Sequence, residues 1–198
     1  MSKTTIFPAL EALKQGDVIL YPTDTLYALG ADIFNVQAVK KVFMIKKRPL
    51  SSPLPVAVAS IEEVVKIADV NDTAMKVMKH FLPGTLTVVL KKKPSVPAIV
   101  TSGLEKIAIR IPDNSYALDL LATYGPLTAT SANIHDEEPQ YVIKDILMQL
   151  GTDITVCLDD GKLDGKPSTI VDLSEHVPVI MRKGPITKKQ LLDVIHHE

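Results

Sequence analysis

The chain has no tryptophan, one cysteine and few aromatics, 5% of its 198 residues. A lone thiol, Cys157, excludes an internal disulfide, so packing rather than cross-linking must hold the fold. Its apolar neighbours Ile154, Val156 and Leu158 make it read as filler on a buried strand. Scarce aromatics leave little for the stacking platforms that grip single-stranded nucleic acid. An excess of one charge sign is missing too: 22 basic and 23 acidic residues give a formal net charge of -1. No global field attracts a polyanion, and any nucleic-acid contact must come from a local patch. No apolar run is long enough to cross a bilayer, and the N-terminus lacks the basic-then-apolar order of a secretory signal. The expectation is a cytoplasmic protein with no membrane contact.

What is present is ordinary globular material, 46% hydrophobic and 23% charged, in a chain long enough to bury a real core. No repeat, low-complexity tract or long linker divides it, so one domain over residues 1–198 is expected. Apolar periodicity predicts helices over 9–15, from 35 to the stop at Pro49, and over 61–68, 73–81, 115–123, 141–150 and 187–196. Strands are expected at 18–21, 56–59, 85–90, 107–111, 127–130, 154–158, 169–173 and 179–181. Strands alternating with helices early and following one another late point to an α+β fold, a twisted mixed β-sheet with flanking helices.

Several motifs fail on spacing. Gly161 to Ser168 has one residue too few between its glycines, and Pro167 stands between Lys166 and Ser168, so it is no Walker loop. Asp159, Asp160, Gly161 and Asp164 do not alternate as calcium ligands do. His80, His135, His176, His196 and His197 form no pair at a metal-binding helical spacing beside a carboxylate, so no protein-held metal is expected. No serine sits in a Gly-x-Ser-x-Gly elbow.

Four polar stretches remain. Thr23-Asp24-Thr25 follows a strand and reads either as a turn capping its own backbone or as a ligand loop. Lys46, Lys47 and Arg48 close a helix; cations there suit the helix dipole, yet Lys46 and Arg48 could both reach one phosphate group if the last turn unwinds. Thr130-Ser131-Ala132-Asn133 ends an apolar strand in small donors and acceptors, and Arg110 is a cation inside the apolar strand Ile109-Arg110-Ile111. An inward-facing Arg110 needs an acidic partner or a ligand carboxylate; an outward-facing one needs nothing. Ser168 and Arg182 fall where they could meet across neighbouring strands.

Taken in order, Tyr21 to Gly30, the Lys-x-Arg pair at Lys46 and Arg48, Pro83-Gly84-Thr85, Ile109-Arg110-Ile111-Pro112, Ser131-Ala132-Asn133, Ser168 to Asp172 and Arg182 to Pro185 resemble the YrdC/YciO-type family of threonylcarbamoyl-adenylate synthases. The resemblance implies a mixed sheet around a large concave, positively lined cavity. It implies a reaction of L-threonine, bicarbonate and ATP, with magnesium as helper, giving threonylcarbamoyl-AMP and pyrophosphate. A transferase complex would take the product to tRNA, with a direct tRNA or RNA contact left open. It puts Thr25, Arg110 and Ser168 on the threonine, and Lys46, Arg48, Ser52, Thr101, Ser131, Asn133 and Arg182 around the nucleotide, with Lys46 and Arg48 as the catalytic cations. Three positions depart from the commonest pattern: Ala28 for glycine, Ser52 for asparagine and Ala57 for histidine. Ala28 resembles the YciO branch, so a paralogue with another substrate stands beside the synthase reading, as does a non-catalytic RNA-binding module. The sequence ends at Glu198, and the extra C-terminal domain of longer relatives is not expected.

Overall fold

The computed structural model describes residues 5–151, 153–163, 165–175 and 177–196; the readings of Asp164, His176 and His197 lie outside them. In chain order the elements are α1 (Phe7–Lys14), β1 (Ile19–Tyr21), β2 (Ala28–Gly30), α2 (Val36–Lys46), β3 (Val56–Ala57), α3 (Ile61–Ile67) and β4 (Ala68–Asp69). There follow α4 (Asp72–Phe81), β5 (Leu86–Lys92), β6 (Lys106–Arg110), α5 (Ser115–Tyr124), β7 (Leu127–Thr128) and β8 (Thr130–Ser131). Last come α6 (Ile143–Leu150), β9 (Val156–Cys157), β10 (Thr169–Asp172), β11 (Val179–Arg182) and α7 (Lys188–His196). No described helix is long and apolar enough to cross a membrane.

Short polar side chains start four of the helices, α2 to α5. Asn35 accepts the Gln37 and Ala38 N–H groups, Asn71 that of Ala74 and Asn114 that of Ala117, while Ser60 caps α3 through Glu63. Each satisfies donors that the first turn leaves unpaired. Helix α2 buries Ala38, Val39, Val42 and Phe43 on one face. It ends where Lys47 adopts a left-handed conformation, φ 51° and ψ 37°, which turns the chain sharply between Lys46 and Arg48.

The α+β reading holds, but the strands form two mixed sheets rather than one. The smaller runs β8-β2-β1-β9 and the larger β11-β10-β5-β6-β3-β7, with β4 also pairing β5. The reason lies in the segment expected as a single strand over 127–130. It breaks at Ala129, so that Leu127 and Thr128 pair β3 in the larger sheet while Thr130 and Ser131 pair β2 in the smaller. One stretch of chain thus stitches the two sheets together. Strand β2 was hidden because Tyr27 to Gly30 reads as a continuation of the polar loop before it.

In the larger sheet, Leu86, Val88, Leu90, Ile107, Ile109 and Val171 are buried in the main apolar core. A second core beneath the smaller sheet joins Ile19, Tyr21 and Ala28 to Ala9 and Leu13 of α1 and Leu120 and Leu121 of α5. Cys157 is half-buried and packs on the main core.

Candidate functional site

Residues of both sheets line one cavity of about 580 Å³. Its floor comes from the larger sheet: Lys106, Ala108 and Arg110 on β6, Thr87 and Val89 on β5, and Ile170 and Asp172 on β10 with Ser168 just before it. Each set is spaced by two, the period at which a strand returns to one face. Apart from the buried Thr169, the intervening residues belong to the core set named above, so each strand turns mainly apolar side chains to the core and a chosen row to the cavity. The floor is graded: Arg110, Thr87 and Ser168 mark a polar end, Ala108, Val89 and Ile170 an apolar middle, and Lys106 with Asp172 a charged far end.

Arg110 faces inward and has its acidic partner. Nη1 donates to Thr25 Oγ1 at 3.0 Å and Nη2 to Asp24 Oδ1 at 2.5 Å. The side chains of Arg110 and Asp24 are only 8% and 9% exposed, which makes this a desolvated ion pair rather than a screened surface contact. Arg110 Nε and Asp24 Oδ2 have no hydrogen-bond partner among the described residues. Thr23 holds the loop: its Oγ1 donates to Leu26 O at 2.7 Å and accepts the Thr25 and Leu26 N–H groups. The two readings of this segment therefore divide by residue, with Thr23 as the self-capping turn and Thr25 as a buried hydroxyl on the cavity wall that accepts from Arg110. Gly165 lies against the same loop, where an added Cβ would sit 2.5 Å from Thr25 Cα.

Ser168 and Arg182 do meet. Arg182 Nε and Nη2 donate to Ser168 O at 3.0 and 2.9 Å, and Ser168 Oγ lies 2.7 Å from Thr87 Oγ1. Burial, and then the nearby Arg110 charge, lower the Arg182 pKa. Two guanidinium groups thus share this end of the cavity, and an anion between them would relieve their repulsion.

Lys46 and Arg48 part company at Lys47. Arg48 lines the cavity, its Nε on Ser52 O at 3.0 Å, Nη2 on Pro53 O at 2.9 Å and Nη1 on His135 Nδ1 at 3.2 Å. Lys46 is buried behind the wall, donating to Ser131 O at 2.5 Å, Asn133 O at 2.6 Å and Asn133 Oδ1 at 3.3 Å. Burial, and then the Arg48 charge, pull its pKa down to about 7, while the three oxygen acceptors favour the ammonium. Ser131 Oγ donates to Asn133 Oδ1 at 2.6 Å, and both residues line the cavity.

Of the ten residues named from the sequence, seven line the cavity: Thr25, Arg48, Arg110, Ser131, Asn133, Ser168 and Arg182. Lys46 supports it from behind, and Ser52 contributes a backbone carbonyl that steadies Arg48. Thr101 does not line the cavity: the residue is 1% exposed and its hydroxyl donates to Ala98 O at 3.3 Å. Sequence reasoning missed Asp24 as the Arg110 partner, and also Thr87, Lys106 and Asp172. The alternation Lys106-x-Ala108-x-Arg110 could have placed Lys106 on the Arg110 face. Thr87 carried no such signal, since it interrupts an apolar run.

Two mixed sheets with a cation-lined cavity between them define the structural class of this α+β protein. A family model described as "Telomere recombination" (Sua5/YciO/YrdC) matches residues 11–184, and the chain belongs to this family. A protein of Methanocaldococcus jannaschii named putative threonylcarbamoyl-AMP synthase is 39% identical over 92% of this chain and 88% of its own. The Bacillus subtilis threonylcarbamoyl-AMP synthase is 37% identical over 96% of this chain, which spans 56% of that protein's length. Escherichia coli YciO is 31% identical over 89% of this chain and 87% of its own. Among solved structures, Pyrococcus abyssi Sua5 complexed with L-threonine superposes with a TM-score of 0.89 at 33% identity, over 95% of this chain and 56% of that one. The crystal structure of E. coli YciO gives 0.85 at 30% identity, over 92% and 90%.

Proposed function

We propose that the chain is an L-threonylcarbamoyladenylate synthase, one YrdC-like unit that converts L-threonine, bicarbonate and ATP to threonylcarbamoyl-AMP and pyrophosphate in the cytoplasm. A transferase complex would then carry the threonylcarbamoyl group to tRNA adenosine. The observation that carries the reading is the meeting, in one cavity, of Arg110, Thr25, Ser168 and Arg182 with Arg48, Ser131 and Asn133. The P. abyssi Sua5 structure complexed with L-threonine, at 33% identity, supports the choice of amino acid.

The chemistry asks little of the protein beyond alignment. The threonine amine attacks the bicarbonate carbon and water leaves, giving a carbamate. A carbamate oxygen then attacks the α-phosphorus of ATP, and pyrophosphate departs with the bonding pair. No side-chain nucleophile enters, so rate comes from orientation and from neutralising anions. Arg110, with the Thr25 and Ser168 hydroxyls, receives the threonine carboxylate, its planar fork suiting that group. Arg48 and Arg182 meet phosphate charge, with Ser131 and Asn133 as neutral donors and acceptors beside them. Lys46 orders the Ser131–Asn133 wall, and a direct phosphate contact would require it to exchange one of its three acceptors.

A resident magnesium ion does not fit the donor set. Asp24 is paired with Arg110 and Asp172 with Lys106 at 2.8 Å, and no group of three or more metal-ligating side chains occurs among the described residues. Magnesium accordingly enters as the counter-ion of ATP, held by phosphate oxygens.

A second reading, a YciO-like paralogue acting on another substrate, is favoured by Ala28, which lines the cavity where its methyl group takes up room. Pyrophosphate release from ATP and bicarbonate, with and without threonine, decides between them. The synthase releases pyrophosphate only with threonine present. Release that is indifferent to threonine but follows another amine favours the paralogue, and no release with any substrate overturns the enzyme.

A further inference from the structure

The arginine that faces phosphate in the proposed reaction is held by a side chain that nothing above has used. Arg48 Nε and Nη2 rest on two backbone carbonyls, of Ser52 and Pro53, which accept at any pH. The third contact, Nη1 to His135 Nδ1 at 3.2 Å, is different in kind. A guanidinium only donates, so Nδ1 must be the accepting nitrogen and the ring is neutral with its proton on Nε2. Nε2 in turn lies 3.6 Å from Asp136 Oδ2, and that carboxylate is 87% exposed. The backbone that carries the ring is anchored, because the His135 N–H donates to Lys46 O at 2.8 Å.

We propose that His135 is a positioning residue that holds Arg48 on the cavity wall only while its imidazole is neutral, making nucleotide binding sensitive to pH. This rests on the reading of Arg48 as a phosphate ligand. When the ring takes up a proton, Nδ1 becomes a donor aimed at another donor, and two cations face each other across the same gap. Asp136 can still receive the Nε2 proton, so the imidazolium has somewhere to turn, and the Arg48 contact is the one lost. Among the described residues the charged groups in contact with the ring are Arg48, beyond the end of α2, and Asp136, beside it in the same loop. Arg48 is a cation, and Asp136 is well solvated, which weakens its pull.

The test is calorimetric binding of a non-hydrolysable ATP analogue to the full chain, from about pH 8 to about pH 5.5, the span in which histidine changes charge. Three proteins are compared: wild type, His135→Gln, whose amide oxygen accepts throughout, and His135→Leu, which accepts at no pH. At pH ~8 the leucine variant should bind about tenfold more weakly than wild type, the scale of one hydrogen bond to a charged group. On acidification the wild type should lose about tenfold more affinity than the glutamine variant, which removes the analogue's own protonation from the comparison. L-Threonine binding, read on the Arg110 wall, should be equal in all three and reports an intact fold. Parallel loss of affinity in wild type and His135→Gln overturns the role of His135 alone. Absence of analogue binding by the wild type at every pH overturns the phosphate reading of Arg48 together with it.

Discussion

Arg110 carries two duties that its sequence setting concealed. It neutralises a buried carboxylate, and in the proposed reaction it takes the carboxylate of threonine. Truncation to alanine would leave Asp24 desolvated and unpaired, so Arg110→Ala should destabilise the protein by roughly 3 kcal/mol or more in urea unfolding, whatever it does to catalysis. Adding Asp24→Asn should restore most of that loss without restoring threonine binding; a double variant as unstable as the single one would contradict the ion-pair account. Lys46 offers a pH test at the same scale. Its folded pKa, about 7, lies below that of an unfolded lysine, so between about pH 7 and about pH 10.4 the unfolded chain binds more protons than the folded one. Stability should therefore rise with pH across that window, by roughly 3 kcal/mol at most because the three oxygen acceptors oppose the shift. In Lys46→Met this rise should vanish; an unchanged slope would mean that another group causes it.

The helix ends and strand breaks decide which of these side chains face the cavity. The left-handed Lys47 sends Lys46 behind the wall and Arg48 onto it, a divergence that replaces the fraying turn expected from the sequence. A non-glycine residue in that conformation is strained by ~1 kcal/mol. Lys47→Gly should raise stability by about 0.5–1 kcal/mol in thermal or urea unfolding, with pyrophosphate release unchanged; a loss of stability would show that the lysine side chain contributes there. Element positions were largely legible, because apolar periodicity and the Asn and Ser caps act over a few residues. Strand partners were not, because nothing local to Ala129 announces that the chain changes sheets there. The site shows the same division: Thr25, Arg48, Arg110, Ser131 and Ser168 carried visible polar chemistry, whereas Arg110 and Asp24, which pair, stand 86 positions apart in the chain. Thr101 lies off the cavity because its hydroxyl satisfies its own turn, a local bond that its sequence setting does not reveal.

At the scale of the whole molecule, two sheets joined by one continuous segment bring together residues from Thr23 to Arg182 around a single volume. Near-neutral net charge coexists with a cavity lined by Arg48, Lys106, Arg110 and Arg182, of which Lys106 is paired with Asp172 and Arg110 with Asp24. The central claim is that this volume holds both threonine and the nucleotide at once, in contact with opposite groups of cations. A crystal structure of the chain with L-threonine and a non-hydrolysable ATP analogue tests it most directly. The account predicts the threonine carboxylate on Arg110, phosphate oxygens on Arg48, and the amino nitrogen turned toward the α-phosphate with room for one bicarbonate between them. Threonine and nucleotide bound in separate places, or either one bound away from Arg110 and Arg48, would contradict it.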